Sequence, residues 1–143
     1  YLSEYTVPWV AAESEFGMEL GLKWIESDQE RVASGGWSTL AYYAAVNTDE
    51  NLDIEVYAKL LERAGNEVHG AQNRVRYAMN GFVISIGSYI QELTSMSLEV
   101  AEKIGKVEVT LGGAGCKVPL AKDYIHKIID KGRIGKKRKT ARC

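Results

Sequence analysis

The stretch 73–91, NRVRYAMNGFVISIGSYIQ, decides the fold. Its residues Val75, Met79, Phe82, Val83, Ile86 and Ile90 fall on one stripe of a 3.6-residue helix, which Ala78 and Ile84 widen. The spacing predicts a long helix packed against both its neighbours. Gly81 and Gly87 each lower helix propensity by about 1 kcal/mol relative to alanine, so both are expected where another helix comes close. Arg74 and Arg76 occupy the first turn, where the macrodipole disfavours cations. Free amides and two guanidiniums at one helix end suggest an anion site with phosphate as its guest. The competing reading pairs both arginines with Glu62 or Glu67 on the preceding helix.

Outward from this stretch, helical periods dominate. Residues 7–25 read as one helix after Pro8, apolar on most sides, with Gly17 and Gly21 admitting a neighbour. Ser27-Asp-Gln-Glu30 has the capping-box pattern and opens a short helix to Ala33. Gly35-Gly36 is expected to break the chain before a helix over 37–46. Residues 52–68 form the next helix, with Val56, Leu60, Leu61, Ala64 and Val68 on one face and Gly70 beyond its end. After the central stretch, Thr94 is expected to cap a helix ending at Gly105. Residues 106–118 depart from this habit: Val107, Val109 and Leu111 alternate with Glu108 and Thr110, the period of an extended strand, before a glycine-rich loop. Pro119 suits the first position of a last helix over 120–131, closed by Gly132. Six or seven helices joined by short turns make an all-α chain, with an α-solenoid as the expected architecture. The helical domain spans 1–132 and a basic, extended tail 133–143.

A chain of 143 residues holds one domain with a real core. Its 45% hydrophobic and 26% charged residues are those of an ordinary globular protein, and no apolar run is long enough to span a membrane. Two cysteines, Cys116 and Cys143, make no disulfide framework, so a cytoplasmic location is expected. His69 and His126 lie far apart and form no metal-ligand cluster; no cofactor is implied. The chain begins at Tyr1 and is expected to lack an N-terminal portion.

The net charge of −1 conceals an asymmetry. Residues 127–143 carry eight basic side chains against Asp130 alone, while the rest of the chain is acidic. Such a distribution points to a polyanionic partner, or to a tail folded back on the body's own carboxylates. Lys136, Lys137, Arg138 and Lys139 are the phosphate-binding candidates of the tail. The loop LGGAGCKV lacks the Gly-Lys-Ser/Thr ending of a Walker A loop, and Cys116 has no evident base. Trp37, beside Tyr42 and Tyr43, reads either as a core aromatic or as a stacking platform on a concave surface.

The strings GWSTLAYYA (36–44), NRVRYAMNGFVISIGSYI (73–90), EKIGKVEV (102–109), GCKVP (115–119) and GKKRKTARC (135–143) resemble a bacterial branch of the AlkD-like DNA alkylation repair family. The resemblance covers the whole chain and matches the C-terminal part of a longer member. It implies HEAT-like helical pairs and double-stranded DNA as partner. It also implies excision of N3- and N7-alkylated purines, without turning the base into a pocket, by an aspartate and tryptophans that stabilise the cationic sugar. The family's Trp-Asp-Thr-Val-Asp type sequence aligns with Trp37-Ser-Thr-Leu-Ala41, which makes Trp37 the catalytic candidate. Ser38 and Ala41 stand where the family has its two acids, and no tryptophan follows Trp37. The family's phosphate-gripping arginine matches Arg76 in Arg76-Tyr77-Ala78, and Arg74 stands beside it. Without a carboxylate at position 41, stabilisation worth several kcal/mol is missing, so the resemblance favours DNA binding over base excision. The alternative is a catalytically silent HEAT-like scaffold for a protein or a non-duplex nucleic acid.

Overall fold

The computed structural model describes residues 6–110 and 118–141. Among these residues seven α-helices follow one another: α1 (Val7–Glu13), α2 (Gly17–Trp24), α3 (Glu30–Val46), α4 (Ile54–Glu67), α5 (Asn73–Tyr89), α6 (Thr94–Ile104) and α7 (Ala121–Asp130). Among the described residues there is no β-strand. The predicted central helix is α5, and every residue of its apolar stripe is buried. It packs most extensively on α3 and also meets α4, α6 and α7. Against it lies an aromatic core. Trp37 meets Phe82 edge to face at 5.1 Å, and Tyr57 stacks on Phe82 at 6.1 Å. Such pairs add about 0.5–1.5 kcal/mol each beyond the area they bury. Tyr57 donates its hydroxyl to the Leu40 carbonyl at 2.8 Å, and burial pushes its phenol well above the ordinary range.

Four local expectations are corrected. The helix predicted over 7–25 is two helices, because Ser14 turns the chain back. Its hydroxyl donates to the Ala11 carbonyl, and it accepts from the Phe16 amide. Gly35-Gly36 does not interrupt α3. A Cβ on Gly36 would lie 2.7 Å from the Ile25 amide nitrogen, so this glycine lets the end of α2 rest on an unbroken helix. Of the two glycines in α5, Gly87 has its expected neighbour, Ile125 Cδ1, at 2.8 Å from a built Cβ, whereas Gly81 faces open space. Thr94 caps nothing: its hydroxyl donates to the Gly87 carbonyl at 2.8 Å and ties α6 to the end of α5.

The extended period of residues 106–110 has a physical cause other than a sheet. Val107 is buried against the core, and the Thr110 backbone pairs with a side chain: Asn73 Nδ2 donates to its carbonyl at 2.9 Å and Asn73 Oδ1 accepts from its amide at 2.7 Å. One asparagine at the start of α5 replaces a partner strand. The glycine-rich loop, with its Walker-like spacing and Cys116, lies outside the described residues, as does Cys143. The last helix starts after Leu120 rather than at Pro119.

The basic segment 133–141 is non-helical and packs back across the body. The Gly135 amide donates to the Ser88 carbonyl, the Arg138 amide to the Ala45 carbonyl (2.8 Å each) and the Ala141 amide to a Glu13 carboxylate oxygen, also at 2.8 Å. Ala141 is fully buried. The segment thereby joins the ends of α5 and α3 to α1.

Candidate nucleic-acid interface

Helix α5 has a second stripe, opposite its apolar one. Arg74, Tyr77, Gly81, Ser85 and Ser88 recur every three or four residues and line two cavities in succession. The first, about 340 Å³, is closed on the α3 side by Ser34, Ser38, Ala41 and Tyr42 and on the α7 side by Tyr124. The second, about 550 Å³, is walled by Tyr89, Tyr124 and Ile128 and by Arg133, Lys136 and Arg138 of the basic segment 133–141, a strap across the body. Ile84, Ser85 and Tyr124 belong to both, so the two make one groove between α3, α5 and α7. Four cations line it, and none of its described lining residues is acidic. The guanidinium of Arg74 lies over the Tyr77 ring at 5.8 Å.

The sequence candidates divide. Arg74, Lys136 and Arg138 line this groove. Arg76 lies elsewhere, being two positions from Arg74 and so on another side of the helix. Its Nε is buried without a hydrogen-bond partner. Lys137 points inward: its ammonium sits 2.7 Å from an Asp49 carboxylate oxygen, outside aligned hydrogen-bond geometry, and donates to the Ala44 carbonyl at 3.0 Å. Lys139 borders a separate cavity beside Glu13 and Glu15. The expectation of a tail folded onto the body's carboxylates therefore holds for Lys137, while Lys136 and Arg138 face the groove.

The anion site expected at the start of α5 is occupied from within. The Arg74 amide donates to a Glu30 carboxylate oxygen at 3.3 Å. A carboxylate from α3 thus takes the place foreseen for phosphate. Arg74 contributes through its side chain instead.

Trp37 lies on the other side of α3 and is only 1% exposed, so it offers no stacking platform. Over its ring lies the Arg63 guanidinium, 5.8 Å from the centroid. Arg63 forms ion pairs with Glu26 and with Glu67, the latter at 2.9 Å, and the Glu26 hydrogen bond is the main cause that raises its pKa. Glu67, one of the two acids weighed as partners for the α5 arginines, thus pairs with Arg63. The cavity there, bordered by Asp28, Arg63 and Glu67, carries both signs of charge.

Sequence reasoning missed Arg133, Tyr77 and Tyr124 as groove residues. The signal was present in the spacing of Arg74, Tyr77, Gly81, Ser85 and Ser88, which repeats at helical period among residues too small or polar for a core.

No protein-family model matches the chain. An uncharacterized protein from Listeria innocua is 40% identical over 105 residues, which cover 73% of this chain and 44% of that protein. One from Listeria monocytogenes is 40% identical over 104 residues, covering 73% and 43%. The chain thus spans less than half the length of these relatives. Among solved structures, a protein from a study of "a new family of proteins related to the HEAT-like repeat DNA glycosylases with affinity for branched DNA structures" superposes with a TM-score of 0.90 at 30% identity. The match covers 99% of this chain and 60% of that one. The all-α array described above is the HEAT-like fold.

Proposed function

We propose that this chain binds DNA, with branched structures preferred over plain duplex, and that the groove between α3, α5 and α7 is the binding surface. The observation that carries this reading is the charge of that groove: Arg74, Arg133, Lys136 and Arg138 border it, and none of its described lining residues is acidic. A concave, single-signed surface attracts a polyanion and gains affinity by releasing its counterions. The branched-DNA affinity of the HEAT-like neighbour supports the choice of substrate. The resemblance to the AlkD-like family supports the location, because Ser38 and Ala41, which align with that family's acids, line the same groove.

The same two residues argue against excision of alkylated bases. Cleavage through a cationic sugar calls for a fixed carboxylate, worth several kcal/mol, and serine and alanine supply none. Trp37, the catalytic candidate, is buried in the core. The function is binding, with release of N3- or N7-alkylated purines absent. Fluorescence anisotropy with a four-way junction and a duplex of equal length tests this. The junction should bind more tightly, with a steep loss of affinity as salt rises. Equal weak binding at low salt, or release of 7-methylguanine from alkylated DNA, would overturn the reading.

A further inference from the structure

The first half of the groove holds a feature that phosphate binding does not use. Asn80 is buried beneath it, and its Nδ2 donates to the Pro119 carbonyl at 2.9 Å, which fixes the amide orientation. Its Oδ1 is then left buried without a hydrogen-bond partner among the described residues. An acceptor left bare inside a protein costs about 1–3 kcal/mol, so it marks a place where a donor belongs. Tyr42, Tyr77 and Tyr124 stand around the same cavity, which at about 340 Å³ falls in the range of small-ligand sites. The position of Arg74 over Tyr77 shows that a flat cationic group already lies against one of these rings.

We infer that this cavity takes a single unpaired base of the DNA, stacked among the tyrosines, with its Watson–Crick edge donating to Asn80 Oδ1. The inference rests on the DNA-binding reading above and deepens it. Every base has at least one N–H on that edge, and pairing in a duplex occupies it. One acceptor therefore separates unpaired from paired bases, and does not choose among the four. Stacking on aromatic rings is similarly tolerant of sequence. The cations at the two ends of the groove, Arg74 on one side and Arg133, Lys136 and Arg138 on the other, hold the backbone that flanks the base. Branched DNA with an unpaired residue where its arms meet supplies such a base, and there the cavity adds selectivity to a groove of general charge.

Gly81 provides the test, because it lines the cavity and a Cβ there meets nothing within 4 Å. Gly81→Leu fills the cavity from α5, and Ser38→Phe fills it from α3 should the first variant fold poorly. Anisotropy titrations use the whole chain and a three-way junction with one unpaired adenosine at the branch, against the same junction with an abasic residue in its place. The unaltered protein should bind the abasic junction at least about fivefold more weakly. In the filled variants, checked for helical content by circular dichroism, that difference should vanish. Equal affinity for both junctions, or a difference that survives cavity filling, overturns the base site while leaving junction binding intact. Failure to bind either junction overturns the base site and the proposed function together.

Discussion

Helix α3 presents two faces that differ in every respect that matters for binding. One carries Trp37, sealed against Phe82 and covered by Arg63 with its two glutamates. The other carries Ser34, Ser38, Ala41 and Tyr42, small or half-exposed, opposite Arg74 and Tyr77 of α5. Charge on the first face is cancelled locally, so it stabilises and attracts little. On the second, the described lining residues include four cations and no acid. The contrast teaches that aromatic residues mark a site only when they are accessible: the tryptophan builds the wall, and the tyrosines behind it face the groove.

The largest effect should come from the sealed face. Trp37→Ala is expected to cost about 3–5 kcal/mol in urea unfolding, through lost burial and the cavity it leaves. DNA affinity per folded molecule should change little, and a selective loss of binding at full stability would break the comparison. Next comes Tyr57→Phe, which removes the second hydrogen bond to the Leu40 carbonyl, a group that keeps its place in the α3 ladder, and should cost about 0.5–1.5 kcal/mol. Because burial raises the folded-state pKa of Tyr57, its neutral form stabilises the fold up to the ordinary phenol value of 10.0, and that contribution is lost as pH rises further. The variant should therefore show a shallower alkaline fall of stability in unfolding titrations between roughly pH 9 and 11.

On the open face, Arg74→Ala combined with Arg138→Ala should act on DNA affinity far more than Trp37→Ala does. The slope of log affinity against log salt should fall by about 2, because each lost phosphate contact removes roughly 0.9. An unchanged slope would place the DNA elsewhere. The smallest effect expected is a gain: Gly81→Ala should stabilise the protein by about 0.5–1 kcal/mol, since it adds helix propensity in open space. Gly87→Ala should do the opposite, because its Cβ would press on Ile125 and Ser97. Equal responses at both glycines in thermal unfolding would contradict their different surroundings.

Periodicity made the core legible. The stripe from Val75 to Ile90 predicted which side of α5 is buried, and the all-α class followed from that period in the other helices. What periodicity could not show is how separate helices meet. Gly36 looked like a break because glycine marks both turns and close approaches, and only the presence of Ile25 distinguishes them. Likewise Glu30 looked like a local cap, although it reaches the amide of Arg74, distant in sequence. The site was half legible for the same reason. Clustered charge near the end of the chain was visible, but Lys137 and Lys136 are neighbours with opposite fates, decided by the position of Asp49. Arg133 and Tyr124 gained their role only when α7 was set beside α5.

The strap sets an order of events during synthesis. Glu13 waits for the amide of Ala141, 128 residues downstream, and Ala45 waits for that of Arg138. On the ribosome α1 can form early but cannot be fastened until residue 141 has emerged, at which point the basic side chains are also set beside the groove. A product that stops short of residue 141 would carry the lysines and arginines of the body without that alignment, so assembly of the groove waits for this segment.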